Sequence, residues 1–103
     1  MIKYTKIADI DESENLEDRI NNLQYIIKDI KENINLNLDN VTFVIFITNE
    51  NKPMISIKIL DNFESSRLYL KSVLINLLCN KHKLYYSERD KKSSDFLSLS
   101  EYI

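Results

Sequence analysis

The sequence predicts one α+β domain in which two helices pack on a mainly antiparallel sheet. Residues 41–48 and 54–60 are dense in β-branched and aromatic side chains, and Asn and Pro interrupt them, which is typical of a β-hairpin. Segments with apolar residues at helical spacing lie on either side of this hairpin. A chain of 103 residues suits a single domain, so we assign residues 1–103 to one unit.

The predicted element order is (β)αββαβ(β), which indicates a ferredoxin-like or related two-layer sandwich. Residues 1–8 alternate weakly between polar and apolar side chains and predict a short, polar first strand. Residues 13–36 predict a long helix lying on the sheet, with a helix-to-helix dimer contact as the alternative. The apolar positions of that helix follow a 4-3 spacing and are Leu16, Ile20, Leu23, Ile27, Ile30 and Ile34.

The hairpin presents two different faces. We expect one face to be core, because it gathers all the matched apolar pairs, which are Phe43 with Ile59, Ile45 with Ile57 and Ile47 with Ile55. The other face is mixed, since Val44, Phe46 and Met54 stand there among hydroxyl groups and a lysine. Either a helix covers this second face, or it is open and meets a partner.

Residues 61–80 predict the second helix, because Asp61 and Glu64 form a capping-box pattern and Asn80 suits a left-handed cap in a chain without glycine. Its expected buried stripe is Phe63, Leu70, Val73, Leu74, Leu77 and Leu78.

The remaining residues predict a strand at 83–87 and an exposed loop at 88–94. Residues 96–100 fit either a return strand or a short helix capped by Ser94. The polar first strand would be central in a ferredoxin-like sheet. An αββαββ order with residues 41–48 in the centre therefore explains the polarity better.

Composition excludes several classes of protein. Without glycine the chain has no Gly-rich phosphate loop, which excludes Rossmann and P-loop nucleotide binding. The single cysteine, Cys79, excludes an internal disulfide and predicts a reducing compartment. Residues 1–7 lack the apolar core of a signal peptide, and no run is long enough to span a membrane. We therefore expect a cytoplasmic protein without membrane contact.

The sequence predicts no catalytic, cofactor-binding or metal site. Cys79 and His82 lie three residues apart, but a zinc site needs about four ligands and a second pair is absent from the sequence. Glu50 and Lys52 resemble half of a metal-dependent nuclease motif, with Asp39 as a further carboxylate, but they fall in the hairpin turn. We expect these residues to be structural, and we expect no enzyme activity and no small-molecule substrate.

Two charged segments make the chain dipolar, and such segments favour association with charged partners or a second copy. The acidic one, a predicted helix start, holds Asp9, Asp11, Glu12, Glu14, Glu17 and Asp18. The basic one interleaves cations with aromatics, as single-stranded nucleic-acid sites do, and comprises Lys81, Lys83, Tyr85, Tyr86, Arg89, Lys91 and Lys92. The net charge of −2 argues against nucleic-acid binding by the whole domain.

The sequence therefore predicts a small protein-binding domain that acts by stoichiometric contact. In size and composition it is similar to small phage or mobile-element proteins that bind and inhibit host machinery. This likeness implies an inhibitor, immunity or regulatory protein of the anti-defence type. The expected contact residues are the acidic segment together with Val44, Phe46 and Met54, and a homodimer is a further expectation. The alternative is a nucleic-acid-binding protein that uses the basic segment.

Overall fold

A computed structural model describes residues 5–87 and 93–101, and describes side chains from residue 16 onward within those ranges. The elements are α1 (Thr5–Asn33), β1 (Val41–Ile47), β2 (Pro53–Ile59), α2 (Glu64–Asn76) with a π-helical continuation (Leu77–Lys81), β3 (Tyr85–Tyr86) and β4 (Phe96–Ser100). The strands form one sheet in the order β1-β2-β4-β3, and all neighbours are antiparallel. The predicted α+β two-layer class is thus confirmed.

The order of elements is αββαββ, but the predicted position of the first hairpin strand is wrong. β1 lies at the edge of the sheet, and β2 and β4 occupy the centre. The predicted first strand is also wrong where it is described, since α1 already begins at Thr5, and residues 1–4 lie outside the described residues. The return-strand interpretation of residues 96–100 is confirmed, because Leu97 and Leu99 alternate into the core.

The hairpin register differs from the predicted one by two residues, which leaves every side chain on its predicted face. The observed pairs are Val41–Ile59, Phe43–Ile57, Ile45–Ile55 and Ile47–Pro53. The turn explains the shift, because Asn51 adopts φ 59° and its N–H donates to the Thr48 carbonyl at 2.9 Å. Asn tolerates the left-handed region better than most other residues, which suits this turn.

The core lies between the two helices and one face of the sheet, which we call the inner face. The strand residues that are completely buried in it are Ile55, Ile57, Ile59, Leu97 and Leu99. Leu23, Ile26 and Ile30 of α1 pack against them, as do Leu74 of α2 and Leu78 of the π-helical turn. Both helices therefore cover the same face.

The second helix begins and ends differently from the prediction. Phe63 precedes the helix and is exposed, so its predicted burial is wrong. Its N–H donates to Asp61 Oδ1 at 3.0 Å, so the Asp61 side chain turns the chain just before the helix. Lys83, with φ 61°, holds the left-handed position predicted for Asn80, because the π-helical turn extends the helical segment to Lys81.

Neither helix of the described part of the chain combines the length and the apolar character needed to cross a membrane.

Candidate protein-binding surface

The sheet face turned away from both helices, here called the open face, alternates with the inner face along each strand. Its residues are Thr42, Val44, Phe46, Met54, Ser56, Lys58, Tyr85, Phe96, Ser98 and Ser100. Burial across this face is uneven. Met54, Ser98 and Ser100 in the central strands are buried, whereas Val44 on the edge strand is 50% exposed. The accessible apolar surface therefore lies on the two edge strands, with Val44 on β1 and Tyr85, at 48% exposure, on β3.

Val44, Phe46 and Met54, which were predicted to contact a partner, are brought together by the hairpin. Phe46 lies directly opposite Met54 in the ladder and is half-buried, while Met54 is buried. Met54 therefore supports Phe46, and Val44 and Phe46 are the side chains that reach the surface. Polar groups flank them, since Thr42 and Lys58 are exposed on the same face.

The outer edge of β1 carries backbone groups that the sheet does not use. Leu60 N donates to Asn40 O at 2.7 Å and Thr48 N donates to Lys52 O at 3.0 Å, so the even-numbered residues of β1 bond to β2. The odd-numbered residues point their N–H and C=O groups away from β2. At the start of the strand, Val41 N donates to Leu38 O at 3.0 Å.

Further along this edge, Phe43, Ile45 and Ile47 have no backbone partner among the described residues. Natural edge strands are commonly short or guarded by Lys or Pro. β1 has seven residues and none of them is charged or proline. Lys31 Nζ, from α1, lies over the Phe43 ring at 5.4 Å from its centroid. An unguarded edge and an exposed apolar pair thus coincide on one strand.

The acidic segment belongs to a different layer of the molecule. Residues 9–18 form part of α1, and Glu17 and Asp18 are exposed. The side chains of Asp9, Asp11, Glu12 and Glu14 lie outside the described ones. Glu17 and Asp18 therefore lie on the helix that packs on the inner face, and not on a strand of the sheet.

The basic segment is only partly available for contact. Lys81 Nζ lies 3.1 Å from Asp29 Oδ2, and Tyr86 packs against the core, with Lys71 Nζ 5.6 Å from its ring centroid. Lys83 is exposed and Tyr85 is 48% exposed. Arg89, Lys91 and Lys92 lie outside the described residues.

A cluster that sequence reasoning missed joins α1 to the π-helical turn. His82 Nε2 lies 2.9 Å from Asp29 Oδ2, which also meets Lys81. The hydrogen bond and charge of Lys81, aided by His82 and Asn33, outweigh partial burial and hold the pKa of the Asp29 carboxyl below its ordinary value of 3.8. Asp29 lies more than fifty residues before its partners, so local spacing contains no signal for this cluster.

Cys79 and His82 have different surroundings. His82 is engaged by Asp29, and burial raises the pKa of the Cys79 thiol, which favours the unreactive protonated form. Within residues 16–87 and 93–101, no group of three His, Cys, Asp or Glu side chains is arranged to hold a metal ion.

The nuclease-like residues also lie apart. Glu50 and Lys52 occupy the hairpin turn, where their N–H groups donate to Thr48 Oγ1 at 3.3 and 3.2 Å. Asp39 precedes the opposite end of β1, roughly 20 Å away along a seven-residue strand. A shared metal would need its ligands within a few ångströms of one another, so this geometry offers no common site.

No protein-family model, curated protein or solved structure matches this chain. Among the candidate sites, the open face along β1 is the one at which accessible apolar side chains and unused backbone groups occur together.

Proposed function

We propose that this chain is a non-enzymatic protein-binding domain that acts by stoichiometric contact through the open face of its sheet. The observation that supports this proposal most directly is the pair Val44 and Phe46 on the sheet face opposite the helix-packed core, where Val44 is 50% exposed. An apolar side chain left half in water gains free energy when a partner buries it, at about 25 cal/mol per Å².

The surroundings of this pair fit a specific contact better than a ligand pocket. Thr42, Ser56 and Lys58 surround the apolar centre with polar groups, which is the arrangement of a small interface with a polar rim. Val44 and Phe46 lie on an edge strand, whereas small-molecule sites are concave and bury most of their ligand. The likeness in size and composition to small mobile-element proteins leads us to propose that the partner is a host protein, which the chain inhibits, protects or regulates.

The test of this function is affinity capture from the native host, followed by binding measurements with the purified captured protein. The wild-type chain is expected to retain one partner at a fixed ratio. Val44→Asp places a charge at the centre of the contact, and we expect it to weaken partner binding at least ~10-fold, which corresponds to about 1.4 kcal/mol.

Leu68→Asp is the matched control, because Leu68 on α2 is 47% exposed and undergoes the same chemical change. It is expected to bind as the wild type does. The proposal is wrong if no protein is retained in a defined ratio, or if both variants bind equally well.

Nucleic-acid binding is the second candidate, and the exposure of Tyr85 beside Lys83 favours it. A stacked aromatic contributes about 1–3 kcal/mol per base in single-strand binding proteins, and phosphate contacts make that binding salt-dependent. Fluorescence polarisation with short single-stranded DNA and RNA measures this directly. Affinity that falls with salt and falls further in Tyr85→Ala supports this candidate, whereas no binding at low salt eliminates it.

A further inference from the structure

We propose that the free edge of β1 pairs with β1 of a second copy, so that two sheets join into one across a twofold axis at Ile45. This inference goes beyond the proposed function, which concerns the open face, because it assigns an occupant to the strand edge. In the joined sheet the open faces of both copies become continuous, and each copy contributes Val44 and Phe46 to one surface.

The part of β1 that can pair is decided by which residues direct their backbone groups away from β2. Phe43, Ile45 and Ile47 direct their N–H and C=O groups outward and lack backbone partners in the described chain. Val41 does not have the same freedom, because its N–H already donates to Leu38 O. The usable edge is therefore centred on Ile45, and not on the geometric middle of the strand.

An antiparallel pair centred on Ile45 uses all of these groups. Ile45 would meet Ile45 of the copy, and Phe43 would meet Ile47 of the copy at both ends of the pair. Each of these is a hydrogen-bonded pair, in which the N–H of each residue donates to the C=O of the other. Closed twofold pairing of this kind is the commonest symmetry of soluble oligomers.

The side chains match in the same register. On the open face, Val44 would lie beside Phe46 of the copy in a non-hydrogen-bonded pair, where side chains approach most closely. Thr42 would lie beside Thr48 of the copy. Aromatic with β-branched pairs and Thr with Thr pairs each stabilise a sheet by roughly 0.2–1 kcal/mol.

Charge and exposure favour a second copy over an unrelated strand. Because β1 contains no ionised side chain, two copies can align without like-charge repulsion at the seam. Ile47 is 46% exposed despite pointing to the inner-face side, and Phe43 is half-buried under Lys31. Pairing would place each of these two side chains against the other from the second copy.

The alternative register, centred on Val44, is less favourable. It would place Thr42 beside Phe46 of the copy and would require Val41, whose N–H is already engaged. The two registers predict different neighbours for Val44, which are Phe46 of the copy in one case and Val44 of the copy in the other. This difference allows the register to be tested chemically.

The first experiment measures mass in solution by light scattering and sedimentation. We expect twice the chain mass of 12.2 kDa for the wild type at high protein concentration. Val44→Lys introduces an edge charge and is expected to raise the dimer dissociation constant at least ~10-fold. Leu68→Lys is the matched control and is expected to remain dimeric. A wild-type chain that stays monomeric at its highest soluble concentration overturns the inference.

A second variant separates the edge from the open face. Ile47→Pro removes an outward N–H that β2 does not use, so the hairpin ladder is preserved while the seam is weakened. Thermal melting checks that this variant folds. If it is monomeric and still captures the protein partner, the dimer exists but the function does not depend on it. A variant that folds and remains as dimeric as the wild type overturns the inference.

Disulfide trapping tests the register in a Cys79→Ser background, which removes the native thiol. Chains carrying Val44→Cys are mixed with chains carrying Phe46→Cys under mild oxidation. The expected product is the mixed dimer, since a non-hydrogen-bonded pair brings Cα atoms to about 4.5 Å, within disulfide range. Predominant linking of Val44→Cys to itself, or no linking at all, contradicts the Ile45-centred pair.

These outcomes are distinguishable from failure of the proposed function. A monomeric wild type that binds its partner contradicts only the dimer, and a trapped dimer that binds no partner contradicts only the function.

Discussion

The two faces of the sheet use the same strands for different purposes. On the inner face, Ile55, Ile57 and Leu99 are completely shielded by the helices. Their chain neighbours on the open face include Ser56, which is half-buried, and the paired strand presents Val44 at 50% exposure. One-residue alternation thus separates a face that packs against the helices from a face on which Val44 of the edge strand is accessible, while Met54, Ser98 and Ser100 of the central strands are buried there.

The largest expected contrast is between two adjacent residues of β2. Ile57→Ala removes a fully buried side chain and leaves a cavity, so it is expected to lower the free energy of unfolding by about 2–5 kcal/mol. Ser56→Ala, one residue earlier on the open face, is expected to change it by less than ~0.5 kcal/mol. Urea unfolding followed by circular dichroism measures both, and similar losses for the two variants would show that the faces do not differ in this way.

The second contrast introduces the same charge on each side of β1. Ile45 packs partly into the core, so Ile45→Asp would desolvate a carboxylate without a partner, and we expect a loss of at least ~2 kcal/mol. Val44→Asp faces solvent, and it is expected to cost less than ~1 kcal/mol, which reflects the low strand propensity of Asp. Thermal melting in dilute solution compares them. A larger loss for Val44→Asp would mean that the open face is part of the core.

The smallest expected effect concerns the cluster of Asp29, Lys81 and His82, which joins α1 to the π-helical turn. The folded pKa of Asp29 is lowered by Lys81, so its stabilising contribution is present above the unfolded value of 3.8 and is lost as pH falls through the lower folded value. Asp29→Asn is therefore expected to be slightly less stable than the wild type at pH 7.

That difference should shrink as the pH is lowered below 3.8, which urea midpoints across a pH series can measure. Asp39→Asn is the control, since Asp39 is an exposed carboxylate outside the two ion pairs of the described residues. A stability gap for Asp29→Asn that is constant with pH would show that charge is not its cause.

The sequence predicted faces more reliably than it predicted positions within the sheet. Alternation in residues 41–60 identified both faces of the hairpin correctly, because side-chain period is a local property of a strand. The register was two residues away from the predicted one, since it depends on which turn residue accepts a positive φ, and Asn51 does so. Because side chains alternate faces every second residue, a shift of two residues leaves each side chain on the same face, and the face assignment was unaffected.

Strand order depends on long-range packing, which no local pattern encodes. The apolar character of β1 suggested a central strand, yet β4 pairs with β2 and leaves β1 at the edge. The same limit applies to the candidate site. Val44 and Phe46 were identified from their alternation, while the free edge beside them and the Asp29–His82 contact emerge only when distant residues are brought together.

The sheet order also constrains when each part of the fold can form. The β1–β2 hairpin closes over a short turn, so it can assemble within microseconds of becoming available. β4 must return across residues 60–95 to pair with β2, and β3 has only β4 as its neighbour in the described sheet. During synthesis, a chain that has not yet reached Phe96 therefore carries a hairpin with both long edges unpaired. We expect such nascent chains to be the stage most exposed to aggregation, and arrival of β4 to reduce that exposure by pairing the β2 edge, while the outer edge of β1 stays free.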